Sequence, residues 1–410
     1  MIQKSAPNAA RLPGVGDAPI CGAIRAAERV FLSGANALGK DGSVAGLGDP
    51  AAQTEAALDR LEQALSAVGG SLADLTKLTT CVVDRGYRVE VYRTIARRLA
   101  NVRPVSTGVV VAGLPLPEMI VQIDAEAAIS ATSPHVTRPY DFDNWHGQGF
   151  AWRGATVLGT ANEFFVRGQT GTPLDHSGVP ARGRTHGDAA AQAELAMENL
   201  STLLTEAGGA REDICKITVY IGDRAYRAAV YPVIGKFLGN TRPVSTGIIT
   251  AGFSRPEVLF ELDLTVLRQQ GGSHRRLRPY HSSAARYGHQ GQKLDCEFCM
   301  AVVAGDRVIL RGQTGMGLDE KFYGAGNARA QAEQAMRNVE TLLGEAGVRL
   351  ADVVKATVYV TDRAFLAEVN EAVLGALRDA APAFTCVIVK GLASPELLME
   401  VDIVAIKSGG

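Results

Sequence analysis

The sequence predicts an α+β protein built from three tandem copies of one folding unit, each a mixed sheet with two helices on one face. Three observations carry this. The stretch Asp49 to Gly70 returns as Asp188 to Gly209 and again as Asn327 to Val348, at one constant offset and without a gap. The same offset relates Lys77, Lys216 and Lys355, and likewise Asp124, Asp263 and Asp402. Within a copy, the hydrophobic period switches between that of a helix and that of a strand in the order β-loop-α-β-α-β-β. Each copy is domain-sized, and the copies are placed at residues 1–130, 145–267 and 291–407.

The second copy justifies each element in turn. Glu163 to Gln169 reads as a short strand that ends at Gly168, followed by a polar loop rich in glycine and proline. A helix follows, with Ala193, Ala196, Met197, Leu200, Leu203, Leu204 and Ala207 on one stripe. Asp188 can cap its start, and Gly208 sits where a helix stops in the left-handed conformation. Lys216 to Asp223 alternates as a strand, and a second helix runs from about Ala225 to Leu238 and ends at Gly239. Two strands close the unit, Arg242 to Gly252 and Val258 to Leu267.

On the closing strand Glu261 and Asp263 alternate with apolar residues, as Glu400 and Asp402 do in copy three and Gln122 and Asp124 in copy one. Period-two alternation gathers them on one sheet face. With helices on the opposite face, the acidic face must meet water or another copy. Three copies on one chain invite a closed pseudo-threefold trimer with these faces turned inward. Acids at such seams are partly desolvated and suit general acid or base work, against the plainer reading of a polar sheet face without chemistry.

Composition limits the partners. The net charge of −1 offers no field for nucleic acid or anionic membrane. No apolar run approaches the roughly 18 residues of a membrane span, and the N-terminal stretch lacks the apolar core of a signal peptide. The expectation is a cytoplasmic protein with a small-molecule substrate, a monomer that imitates a trimer or a higher homo-oligomer. Cys296 and Cys299 form a CxxC with no second pair, so no metal and no cofactor are expected. The segments Ser130 to Asn144 and Arg268 to Gln290 read as linkers, the second with a short basic cluster. His146 and His289 stand in matched contexts before the first strands of copies two and three, as polar loop residues or proton carriers.

The strand ends SGANAL and RGQTG, the AQ-opened helices with an AGG-type stop, the K-x-T-V-Y-V-x-D strand and the V-E-V-D-type closing strand together resemble the RidA/YjgF family of enamine/imine deaminases. The resemblance covers all three copies. It implies a fold similar to small chorismate mutases, a trimer with one cleft at each seam, and hydrolysis of reactive enamines and imines to 2-keto acids and ammonia. It also implies an arginine that grips the substrate carboxylate, a glutamate on the last strand that places water or moves protons, a cysteine lining the cleft, and a glycine amide at the first strand end.

The chain departs from that pattern. The arginine position holds Ser106, Ser245 and Phe384; the cysteine position Gly108, Gly247 and Cys386; the glutamate position Gln122, Glu261 and Glu400. A cleft asparagine appears as Tyr92, Tyr231 and Asn370, and the residue before the strand-end glycine is Ser33, Arg167 and Arg311. The reading assigns Glu400 or Glu261 to orient water, Arg311 or Arg167 to replace the clamp, Gly312 or Gly168 as a backbone donor, and Cys386 and Asn370 to shape the pocket. The leading function is hydrolysis of a small enamine, imine or related C–N compound. The alternatives are a non-catalytic metabolite-binding or scaffold protein and, less favoured, a cyclic-amide hydrolase with Ser106 or Ser245 as nucleophile.

Overall fold

The computed structural model describes residues 2–5, 15, 18–130, 134–175, 186–269, 272–282 and 294–407. Three six-stranded sheets, one per unit, carry six helices: α1 (Pro50–Ser66), α2 (Arg88–Arg98), α3 (Ala189–Glu206), α4 (Arg227–Leu238), α5 (Ala328–Ala346) and α6 (Leu366–Ala376). In unit two the strand order is Val244–Ile249, Ile214–Ile221, Phe260–Leu267, Glu163–Val166, Ala155–Gly159, His135–Pro139. Only the first pair is parallel, because α4 carries the chain back between those strands. Asp188 caps α3 by accepting from the Ala191 amide, and Gly208 takes φ 69° beyond its end, the left-handed conformation that favours glycine.

The structure adds strands that periodicity did not reveal. Ala155–Gly159 forms a hairpin with Glu163–Val166, and the linkers contribute His135–Pro139 to sheet two and Arg275–Leu277 to sheet three. The two linker strands lie at sheet edges, half exposed, so they carry no apolar alternation to read, whereas Ala155–Gly159 is buried throughout.

Each unit has its own core, and the connecting segments cross to the preceding unit. Tyr140, Trp145 and Trp152 pack in the core of unit one, Cys296 and Phe298 in that of unit two, and Val15 and Ile20 in that of unit three. Cys299 lies in a separate cluster, as the odd spacing of the CxxC requires.

The units close into a ring. Lys77 pairs with Asp263, Lys216 with Asp402 and Lys355 with Asp124, so each unit's lysine reaches the next unit's aspartate and the third returns to the first. Thr107, Thr246 and Thr385 donate to those same aspartates. Arg85, Arg224 and Arg363 donate to the Phe253, Leu392 and Leu114 carbonyls in the same cyclic order. A cluster drawn from all three units, including Val109, Ile248 and Val387, fills the axis around a chamber of about 150 Å3. The inward acidic faces expected from the closing strands are therefore seam faces. Among the described residues no helix is long and apolar enough to cross a membrane.

Candidate functional site

The three seams are built from matched elements and have diverged. At the first, between units one and two, α2 supplies Arg88 and Tyr92, the parallel edge strand Val105–Val110 supplies Ser106 and Gly108, and unit two supplies Arg167 and Glu261. The connecting segment adds Tyr140, Trp145, His146 and Trp152, and these residues enclose a cavity of about 530 Å3. At the second seam Arg227, Tyr231, Ser245, Gly247, Arg311 and Glu400 repeat the arrangement. There Tyr280, Leu294 and Phe298 close in and leave about 80 Å3.

The third seam is filled. Phe384 and Cys386 are each 1% exposed. Gln122 donates to the Cys386 carbonyl at 3.0 Å and accepts from Asn36 at 3.1 Å, and Gly34 donates to the Phe384 carbonyl at 3.1 Å. Burial pushes the Cys386 thiol up to about 12, partly countered by a hydrogen bond with Asn370, so no thiolate forms near neutral pH. Copy three is thus split. Glu400 faces unit two, whereas Cys386 and Phe384 face unit one, so Cys386 and the Asn370 bonded to it do not line the cleft that holds Glu400. Period-two alternation places a residue on a face, but it does not say which neighbour that face meets.

Glu261 and Glu400 are buried carboxyls, 7% and 5% exposed. Burial pushes Glu261 up to about 7, while Arg167, Arg88 and the Gly108 amide pull it down and Asp263 pushes it up. Burial also pushes Glu400 up to about 8, with Asp402 adding to the shift and Arg311, Lys216 and Arg227 opposing it. A Cβ at Gly168 or Gly312 would overlap the carboxylate oxygen of Glu261 or Glu400, so the strand-end glycines let the carboxyls lie against backbone. The Gly312 amide itself is engaged, donating to the Ser245 carbonyl at 3.3 Å. Lys77 and Lys216, the repeated lysines on the neighbouring strand, are held by Asp263 and Asp402 rather than by Ser106 or Ser245.

Arg88 and Arg227 were not recognised from the sequence. Each lies over the ring of the tyrosine one turn later, Tyr92 or Tyr231, at 4.6 Å. Each guanidinium stands where a Cβ on Gly108 or Gly247 would collide with it. Glycine at this position leaves room for the tyrosine hydroxyl and the arginine that the second helix brings in together. Where copy three keeps Cys386, it has Leu366 and Asn370 in place of the arginine and tyrosine. The Arg88 residue is 7% exposed, and its Nη1 has no hydrogen-bond partner among the described residues.

Arg167 completes the first site from the opposite wall. It lies over the Tyr140 ring at 4.0 Å and donates to the Tyr140 hydroxyl at 3.2 Å. His146 sits at the mouth in a left-handed conformation, φ 48°, within 3.3 Å of the Tyr140 hydroxyl and 3.4 Å of Arg255. His289 lies outside the described residues. The signal that could have marked this wall is compositional. Both tryptophans of the chain fall at the edge of one presumed linker, in the run FDNWHGQGFAW.

The family model described as Endoribonuclease L-PSP matches residues 18–129, 156–268 and 293–407. A RutC family protein of Sinorhizobium fredii is 32% identical over 95 residues, which span 23% of this chain and 75% of that protein. Another, of Pyrococcus abyssi, is 29% identical over 114 residues, 28% of this chain and 84% of that protein. Among solved structures a chorismatase superposes with a TM-score of 0.53 over 81% of this chain and 93% of that one, at 18% identity. That likeness shows a shared fold and carries no chemistry.

Proposed function

This chain belongs to the Endoribonuclease L-PSP family, the RidA/YjgF family, as three tandem copies, and from that membership and its acid–arginine seams we propose that it hydrolyses the C=N bond of small 2-imino or enamino acids. The observation that carries the reading is a buried carboxyl facing two guanidinium groups in each of two clefts, Glu261 with Arg88 and Arg167, and Glu400 with Arg227 and Arg311.

The chemistry follows from this arrangement. An enamine first takes a proton at carbon and becomes an iminium. The Arg88 guanidinium, planar and short of a hydrogen-bond partner, holds the substrate carboxylate in place of the missing family arginine. The Glu261 carboxylate accepts a proton as water adds to the C=N carbon, then returns it to the nitrogen. Collapse of the tetrahedral intermediate breaks the C–N bond and releases ammonia and a 2-oxo acid. A group that titrates near neutrality suits both transfers, and burial sets it there. Glu400 and Arg227 make the corresponding pair at the smaller cleft.

The test is ammonia release from 2-aminoacrylate generated in situ, expected to exceed the uncatalysed rate. Ligand binding without any acceleration would instead support a non-catalytic binding protein. Arg88→Leu is expected to raise KM about 10- to 100-fold, the loss of one charge-assisted hydrogen-bonded clamp. Arg88→Lys is expected to recover only part of this, because an ammonium cannot bond both carboxylate oxygens in a fixed plane.

A further inference from the structure

We infer that the cleft between units one and two takes carboxylates bearing an aromatic or heteroaromatic ring, and that the second cleft takes only small aliphatic ones. This rests on the hydrolytic reading for its chemistry but on separate observations for its selectivity. Four rings line the first cleft, Tyr92, Tyr140, Trp145 and Trp152. They are mutually ordered: Trp145 stacks on Tyr92 at 5.1 Å and 14°, and Trp152 meets Tyr92 at 5.4 Å. Such a wall gives the cavity an apolar aromatic lining of defined geometry against which another ring can pack edge-on. A cavity of about 150 Å3 suffices for benzene. The first cleft, at about 530 Å3, holds a ring, a carboxylate and water, and the second, at about 80 Å3, holds no ring.

The anion end is equally built. Arg88 lines the same cavity, and its guanidinium carries a buried Nη1 that no described residue satisfies. A carboxylate held by this guanidinium leaves the ring to extend toward the tryptophan wall. Arg255, with His146 beside it, adds positive charge at the mouth. For the reaction, the substrate class is a 2-imino acid with a ring on its side chain. Water adds to the C=N carbon, the C–N bond breaks, and the products are an aryl 2-oxo acid and ammonia, with no change in oxidation state.

Both tryptophans of the chain line this cleft, so intrinsic tryptophan fluorescence reports on it directly. The full chain is titrated with 3-phenylpropionate, propionate and the uncharged 3-phenylpropanol. The expected result is a saturable change with 3-phenylpropionate at concentrations about 10- to 100-fold below those needed for propionate, the gain from burying a ring. Arg88→Leu should bring the acid down to the level of the alcohol. Equal response to propionate and 3-phenylpropionate, or no response together with no calorimetric binding of 3-phenylpropionate, overturns the inference without any variant. The imine generated from phenylalanine by an amino-acid oxidase supplies the catalytic arm, and Glu261→Gln is expected to abolish its hydrolysis. If 2-aminoacrylate is hydrolysed but 3-phenylpropionate binds no better than propionate, the ring selectivity fails and the hydrolytic reading stands. If 3-phenylpropionate binds selectively but neither imine is hydrolysed, the selectivity stands and the hydrolytic reading fails.

Discussion

Replacing both Glu261 and Glu400 by glutamine is expected to lower imine hydrolysis by about a hundred- to ten-thousand-fold, the range for losing a positioned proton-transfer group. Glutamine keeps the shape and the hydrogen-bonding capacity of the side chain but cannot carry the proton from water to nitrogen. Each single variant should remove only its own cleft's share, so the pair of singles apportions turnover between seams. The pH profile gives a second reading. With the carboxylate as base, kcat/KM for the free enzyme should rise with pH and level off above about 7 where Glu261 acts, and above about 8 where Glu400 acts. Burial is the main cause of both shifts, so the glutamine variants should lose the rising limb while keeping their fold. Stability supplies the control. A carboxyl whose folded pKa is raised contributes stability that is complete below its ordinary pKa and lost as pH climbs through the raised value. Between pH 5 and 8 the wild type should therefore lose thermal stability at these positions, and the glutamine variants should not. A double variant that unfolds more readily than wild type at pH 8, or that hydrolyses 2-aminoacrylate at the wild-type rate, contradicts this assignment.

The sequence carried the unit and its repetition because these rest on local periodicity. The stripe from Ala193 to Ala207, the Asp188 cap and the alternation through Glu261 and Asp263 are all read within one copy. What it did not carry is pairing between copies. Glu400 and Cys386 share a sheet, yet they serve different seams because their strands, Met399–Ile406 and Ala383–Ile388, present them to different neighbours. Arg88 escaped notice for a related reason. Its helix shows an ordinary apolar face, and the role of its guanidinium depends on the room left by Gly108 on a distant strand. The aromatic wall lay in a segment whose edge strands lack alternation, so its register and its partner unit could not be derived from pattern alone.

The largest effect on stability is expected at the ring's axis. Asp263→Asn should destabilise the protein by about 3–5 kcal/mol, because it strands the Lys77 ammonium inside the seam. Lys77 is 8% exposed and Asp263 6%. Burial works against the Lys77 charge, but the Asp263, Glu126 and Asp124 carboxylates outweigh it and hold its pKa above the ordinary lysine value. That sign places the pair's contribution below the ordinary lysine pKa, to be lost only as pH rises beyond it, so neutral solution shows the full effect. Replacing both partners, as in Lys77→Met with Asp263→Leu, should recover most of the loss, since two apolar groups leave no uncompensated charge. The three pairs should not weigh equally. The side chain of Asp124 is 20% exposed where those of Asp263 and Asp402 are 7% and 9%, so Asp124→Asn leaves its lysine nearer to water and should cost least. Urea unfolding of the three asparagine variants measures the order. Equal midpoints, or a shift for Asp263→Asn below about 1 kcal/mol, would mean that the apolar cluster around Val109, Ile248 and Val387 closes the ring by itself and that the charges only fix which units are neighbours.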